Sequence, residues 1–326
     1  MNLLRRQLLQ TAAIALTALA LGQIAKAQDY PNRPVRVIVP YAPGGVTDTF
    51  ARIIAQQLSE RLGKQFYVEN ITGGSGNIGT GQAARAAADG YNLLVAFSSF
   101  VVNPTLFDKL PFDPIKDFEP VTLAVSSTTV LVVHPSLPAT TVKELVALIK
   151  QNPGKYNFAS AGTGTQSHLA GEQFRLLLGL DLVHVPFNGG APAVASVIAG
   201  HTPIGFTSPT AAMEHVKDGK VRALAVTGKA RSQTMPEVQT MTEAGYPDIK
   251  GDSWVGLLAP TGTPKEIVSR LNREIVAVLA LADMRERLLT LGYDPVASTP
   301  EEFTQRIKDE IRLWGDIIRQ ANIKPQ

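Results

Sequence analysis

Hydrophobic and polar positions along this chain alternate between two periods. Val35–Val39 (VRVIV) is a short β-branched run, the signature of a strand. The turn Pro40-Tyr41-Ala42-Pro43-Gly44-Gly45 follows it. A helical stripe then begins over Val46–Leu62, with Phe50, Ile53, Ile54, Leu58 and Leu62 on one face and Gly63 as its stop. A strand over 66–69, a glycine-rich loop, an alanine-rich helix through 82–88 and a strand over Asn92–Phe97 complete a βαβα series. That order predicts a largely parallel sheet with helices on both faces.

Strand-like runs near 121–125 and 129–133 introduce a second series. Its expected helices cover 142–150, 166–178, 191–199 and 211–216, and its strands 157–159, 182–185, 204–206 and 221–226. The run Ser253-Trp254-Val255-Gly256-Leu257-Leu258-Ala259-Pro260 then leads into helices over 265–280, 284–289 and 301–318. No proline- or serine-rich linker separates the two series, and no strict repeat is visible. Two α/β lobes joined this way imply strands crossing between them, near 122–129 and 251–258. The expected division is 28–125 with 252–326 as the first lobe and 126–251 as the second.

Composition narrows the class. The chain has 326 residues, 44% hydrophobic and 18% charged, enough for substantial cores and unlike a disordered chain. It has no cysteine, which excludes a disulfide framework, a thiolate metal site and a thiol nucleophile. The first 27 residues read as an export signal. Arg5 and Arg6 precede an apolar stretch over 8–21, and Ala25-Lys26-Ala27 is a small-x-small cleavage site, with cleavage expected after Ala27. The apolar stretch is shorter than the ~20 residues a membrane span needs. The pair Arg5-Arg6 before Leu8-Leu9 fits a twin-arginine signal or an ordinary secretory one, and either implies the periplasm. Of 31 lysines and arginines the signal holds Arg5, Arg6 and Lys26, leaving 28 against 28 acidic residues. The excess positive charge therefore belongs to the export segment, and no nucleic-acid footprint remains.

Four loops share one design, in which a strand end passes through small or hydroxylated residues, usually into a helix. They are 41–48, 72–79, 160–168 and 187–192. In open α/β sheets ligands bind at the carboxyl ends of the strands. Helix N-termini there offer unpaired N–H groups and a partial positive charge, and glycine lets an anion approach them. Each loop alone is also what a well-capped turn looks like; four in matching places of two lobes point to an anion cleft. Asp48, in a first helical turn, reads as a partner of the helix dipole rather than a ligand group. Thr165 is placed either to cap the following helix or to face the ligand. His168 is placed either to donate to a ligand as a neutral imidazole or to serve structurally.

Other signatures are weak. Gly74-Ser75-Gly76-Asn77-Ile78-Gly79 matches G-x-G-x-x-G, but the strand that follows ends in Phe97-Ser98-Ser99, without an acid for a ribose. The remaining histidines lack metal-ligand spacing. Gly251-Asp252-Ser253-Trp254 resembles the start of a GDS-type esterase block, but it sits late in the chain and precedes an apolar strand. A nucleophilic Ser253 is therefore the rival, enzymatic reading.

Taken in order, the segments YPNRPVRVIVPYAPGGVTD, VENITGGSGNIGT, ADGYNLL, FASAGTGTQSHLAGEQF, VPFNGGAPAV and LLAPTGTP resemble the Bug family of periplasmic solute-binding proteins, which serve tripartite tricarboxylate transporters. The resemblance covers essentially the whole chain after the signal. It implies an α/β, two-lobe periplasmic binding protein of type II, a Venus flytrap with strands crossing at a hinge, and neither catalysis, cofactor nor metal. It also implies a monomer that captures a small carboxylate and delivers it to membrane subunits of the transporter. One ligand carboxylate would sit against Tyr41, Pro43, Gly44, Gly45, Ser75 and Gly76, with Ser98 and Ser99 on the same side. The second lobe would contribute Gly162, Thr163, Gly164, Thr165, His168, Phe187, Asn188 and Gly189.

One departure from the family pattern bears on the ligand. Relatives often read G-Q-V-D-x-x-F-D where this chain has Gly200-His201-Thr202-Pro203-Ile204-Gly205-Phe206-Thr207. Both acidic positions are gone, which disfavours a ligand amine and leaves Thr207 and Ser208 to offer hydroxyls. Phe97, Phe100, Phe187, Phe206 and Trp254 are candidates for apolar walls or for plain core packing. The expected ligand carries one or two carboxylates, with an aromatic example such as a phthalate isomer within the class. A ligand sensor docking to a membrane receptor is the third reading.

Overall fold

The computed structural model describes residues 30–324, so the export signal assigned to residues 1–27 lies outside the described residues. The chain begins with β1 (Val35–Val39), α1 (Val46–Leu62), β2 (Phe66–Asn70), α2 (Asn77–Ala84), β3 (Asn92–Phe97) and α3 (Ser99–Leu106). After β4 (Phe118–Ser127) come β5 (Val130–Val133), α4 (Val142–Gln151), β6 (Tyr156–Ser160) and α5 (Gln166–Leu177). Then follow β7 (Leu182–Pro186), α6 (Gly190–Ile198), β8 (Ile204–Thr207), α7 (Pro209–Lys217) and β9 (Arg222–Val226). The chain ends with β10 (Ser253–Pro260), α8 (Lys265–Leu279), α9 (Ala282–Thr290), β11 (Asp294–Pro295) and α10 (Pro300–Gln320).

Two sheets result, ordered β11-β4-β10-β3-β1-β2 and β7-β6-β8-β5-β9. The β1 pairings with β2 and β3 are parallel, as are those of β6 with β7 and β8. The strands next to the crossings are the antiparallel ones. β10 runs against β3 and β4, and β5 runs against β8 and β9. Hence β4 hands the chain from the first sheet to the second through Thr128 and Thr129, and β10 brings it back. Each sheet has apolar cores on both faces. Phe50, Ile54, Leu271 and Ile275 cover one face of the first sheet, and Phe100, Phe303 and Trp314 the other. In the second sheet Leu145, Phe158 and Phe174 oppose Val132, Ala193 and Val197.

Two helices depart from the sequence pattern. The one expected over 82–88 starts at Asn77, immediately after Gly76, whose φ of 90° turns the chain into it. The other, α3, has no counterpart in the sequence reading, because Pro104 sits inside it and proline ordinarily breaks a helix. The proline removes one bond, that to the Phe100 carbonyl, and α3 ends two residues later.

Candidate functional site

A cavity of about 660 Å³ lies between the carboxyl ends of the two parallel series. The N-terminal ends of α1, α3, α5, α6 and α7 all reach it, through Val46 and Thr47, Ser99, Gln166 and Ser167, Gly190, and Ser208 with its neighbouring turn. Ser75, just ahead of α2, adds a sixth segment. Thr128, Thr129 and Ser253, at the crossings, form the floor. No acidic side chain lines the cavity, and Lys324 is its one charged residue among those described. Its polar lining is otherwise hydroxyls, amides and backbone, and its apolar lining includes Phe97, Val102, Leu106 and Phe107.

Of the residues expected from the sequence, Tyr41, Gly45, Ser75, Ser98, Ser99, Thr163, Gly164, Thr165 and Ser208 line this space. The Tyr41 hydroxyl is 2.6 Å from Ser99 Oγ. Burial raises its pKa to about 12 against the opposing hydrogen bond from Ser99, so it stays protonated and able to donate. Asn103 donates to the Ser75 carbonyl at 3.1 Å and to Asn77 Oδ1 at 2.7 Å, fixing the second loop against α3.

The other expected residues stand one layer back. The Gly44 N–H does not open toward the cavity: it donates to Asp48 Oδ2 at 2.9 Å, and Pro43 and Gly44 border a separate depression with Arg52 and Arg287. Asp48 is 2% exposed. Burial alone would raise its pKa, but hydrogen bonds from Arg52, Gly44 and Asn70 bring it below the ordinary carboxylate value. Asp48 stands three residues after the cap Gly45, where a helical acid reaches back over the first turn, so the spacing itself carried this signal. Gly45 caps α1 with no side-chain acceptor, which leaves the first-turn N–H groups of Val46 and Thr47 beside the cavity without one.

Gly76 lies against Tyr41. A Cβ there would lie 3.1 Å from the Tyr41 ring, so the glycine lets the phenol lie flat on the backbone. Gly162, Phe187, Asn188 and Gly189 form a strap, in which Phe187 donates to the Ser160 carbonyl at 3.0 Å and Gly189 to the Ala161 carbonyl at 3.1 Å. Only Gly190, the next residue, reaches the cavity. Thr207 is buried behind Gly190, its hydroxyl without a hydrogen-bond partner among the described residues, while Ser208 faces the space.

His168 is also behind the wall. It is buried, accepts the Gly164 N–H on Nδ1 at 3.0 Å and stacks on His184. Thr165 is the cap of α5, accepting from the His168 N–H at 3.4 Å and donating to the Gly162 carbonyl at 2.6 Å. It lines the cavity as well. Among the aromatic candidates only Phe97 is a wall. Phe100 stacks on Phe112, Phe206 packs on Phe158 and Phe174, and Trp254 is fully buried and donates to Glu310 Oε2 at 2.7 Å. Phe187 is half-buried against the second-sheet core. Ser253 Oγ donates to the Ser127 carbonyl at 3.1 Å, spanning the two crossing strands rather than standing beside a base.

Sequence reasoning missed the α3 face (Val102, Asn103, Leu106 with Phe107), the floor threonines, Gln166, Ser167 and Lys324. The floor residues flank the expected crossings and could have been read from them. Gln166 and Ser167 stand in the 160–168 loop already singled out, at the first turn of α5. The others depend on α3 and on where α10 delivers the C-terminal segment.

A family model described as "Tripartite tricarboxylate transporter family receptor" matches residues 50–323. The chain belongs to that family. Protein BugT of Bordetella pertussis is 36% identical over 326 residues, covering 99% of both chains. Among solved structures, Rpa4515 of R. palustris with adipate is 32% identical at a TM-score of 0.72, covering 91% of this chain and 100% of its own. MatC of Rhodopseudomonas palustris with bound malate is 33% identical at a TM-score of 0.67, covering 89% and 100%. A TctC solute-binding protein from Polaromonas, without ligand, is 27% identical at a TM-score of 0.82, covering 89% and 99%. The family is one of periplasmic binding receptors rather than enzymes, and its two-lobe α/β fold is the one seen in this chain. Among the described residues no helix is long and apolar enough to cross a membrane.

Proposed function

We propose that this receptor captures a small mono- or dicarboxylate in the cavity between its lobes and delivers it to the membrane subunits of a tripartite transporter. The observation that carries the reading is the lining itself. Five helix N-termini from two sheets meet around a space whose polar lining, among the described residues, is hydroxyls, amides and one lysine, with no acid. Such a surface favours an anion that accepts many hydrogen bonds and disfavours an amine. Charge-assisted hydrogen bonds of ~1.5–3 kcal/mol and helix ends of ~0.3–1 kcal/mol each reach, in modest number, the roughly −8 kcal/mol of micromolar binding after ordering costs. The adipate and malate held by the two R. palustris relatives are dicarboxylates, in keeping with this class. Phe97 and Phe107 leave room in it for an aromatic member such as a phthalate isomer.

In this reading the lobes are residues 28–125 with 252–326, and 126–251. They close when a ligand adds contacts available only with both walls in place. The better superposition on the ligand-free Polaromonas protein than on the adipate- and malate-bound ones, at lower sequence identity, is in keeping with an open form. The chain is exported by its first 27 residues, cleaved after Ala27, and works as a monomer without cofactor or metal.

Calorimetry of residues 28–326 against a panel of aliphatic and aromatic mono- and dicarboxylates tests this. The expected result is saturable binding with the ligand recovered unchanged. A panel with no binder contradicts the reading, and turnover would move the protein to the enzymatic alternative.

A further inference from the structure

We propose that Lys324 sets the preference of this cavity for an elongated dicarboxylate, by receiving the carboxylate farther from Tyr41. This rests on the carboxylate reading of the cavity. One wall is formed by α3. Ser99, Val102, Asn103 and Leu106 line the cavity at helical spacing, so the wall runs along the axis of α3. Seven residues at ~1.5 Å rise separate its ends by about 10 Å.

The two ends differ electrostatically. At the N-terminal end the helix dipole is positive, and the Tyr41 and Ser99 hydroxyls lie there, 2.6 Å apart. A carboxylate is accommodated at that end without a formal cation. At the C-terminal end the dipole is negative, and the lining there, Leu106 and Phe107, is apolar. A second carboxylate at that end is unfavourable unless a cation offsets it.

Lys324 provides the cation. Gly315 of α10 lies against Thr105 near the end of α3: a Cβ on Gly315 would be 3.1 Å from Thr105 Oγ1. Beyond α10 the chain turns, with the Ile323 N–H donating to the Ile318 carbonyl at 3.0 Å, and Ile323 packs into the core that also holds Leu106. Lys324 lines the same cavity, and from these contacts we place it at the Leu106 end; it forms no ion pair among the described residues. Among the described residues its side chain has no carboxylate partner, whereas Arg52, Arg175, Arg231 and Arg306 are all paired with carboxylates. The cavity therefore has a hydrogen-bonding pole, an apolar stretch over Val102, Leu106 and Phe107, and a cation beyond it, which matches a dicarboxylate with an apolar spacer better than a monocarboxylate of equal length.

Adipate and hexanoate, equal in carbon count and different in one carboxylate, are the probes. Calorimetry compares residues 28–326 with the Lys324→Gln and Lys324→Arg variants, which lie beyond the last helix and leave the fold intact. The expected result is that wild type prefers adipate and that Lys324→Gln weakens adipate about fivefold, the scale of an exposed ion pair, while leaving hexanoate unchanged. Lys324→Arg retains the preference, and added salt weakens adipate more in wild type than in Lys324→Gln. Equal adipate affinity in wild type and Lys324→Gln, or equal loss for both ligands, overturns the assignment while leaving the carboxylate reading standing. Absence of binding by wild type to either acid overturns both.

Discussion

The imidazoles of His168 and His184 stack with ring centroids 3.8 Å apart and planes 15° from parallel. His168 receives the Gly164 N–H, and His184 Nε2 is 2.6 Å from Ser160 Oγ, so the pair braces both ends of the loop that forms the second wall of the cavity. The pair holds only while neutral. Burial lowers the His168 pKa to about 3, helped by His184 and Arg175, and burial lowers that of His184 to about 4.

An acid-sensitive stability follows from that bracing. Below pH ~6.5 the unfolded chain takes up protons at these two residues and the folded chain does not. Their contribution is complete above that pH and is lost as pH falls toward 4 and then 3. For the nearly buried His168 the loss amounts to as much as ~1.4 kcal/mol per pH unit. Urea midpoints measured from about pH 7 down to about pH 5 should fall, and His168→Gln should flatten the slope. An unchanged slope would remove the pair from the account.

Tyr41→Phe should weaken the best carboxylate ligand by about tenfold while leaving thermal stability nearly unchanged. The substitution removes a hydroxyl that faces the cavity and touches Ser99, but it keeps the ring that rests on Gly76. Calorimetry paired with a thermal melt separates the two effects.

Gly251 lies at the return crossing with φ near 148°, and a methyl there would run into the Trp314 ring and come within 2.7 Å of Gln166 Nε2. Gly251→Ala should therefore destabilise the protein by about 2–4 kcal/mol, lowering the melting temperature by about 3–6 °C. Differential scanning calorimetry reads this directly.

Asp252, beside it, is buried, and one of its oxygens has no hydrogen-bond partner among the described residues. Burial holds its pKa above the ordinary value. An acid of this kind contributes most while protonated. As pH rises past ~3.9 the unfolded chain releases the proton first, and stability falls. Asp252→Asn should raise the melting temperature near neutral pH, with the gain disappearing as pH approaches 4. A loss of stability at neutral pH would show that the carboxylate is needed ionised.

How much of the fold and site is legible in the sequence depends on how local each cause is. The alternation of periods marks out both sheets and the crossings, since strand and helix faces are written in neighbouring residues. The capping role of Thr165 is visible three residues ahead of His168. Gly44 misleads because its N–H looks free until Asp48, four residues on, is seen folding back onto it. Pro104 hides α3, and distance in the chain hides Lys324, since only the packing of α10 on α3 brings it to the cavity.

The central claim is that a carboxylate is held between two walls of helix N-termini. A crystal structure of residues 28–326 with the tightest-binding carboxylate from the calorimetric panel tests it most directly. The account predicts a closed form in which the carboxylate is within hydrogen-bonding distance of Tyr41 and the first turn of α1 on one side and of the 163–167 segment on the other. A ligand bound outside this cavity, or contacting one lobe alone, would contradict it.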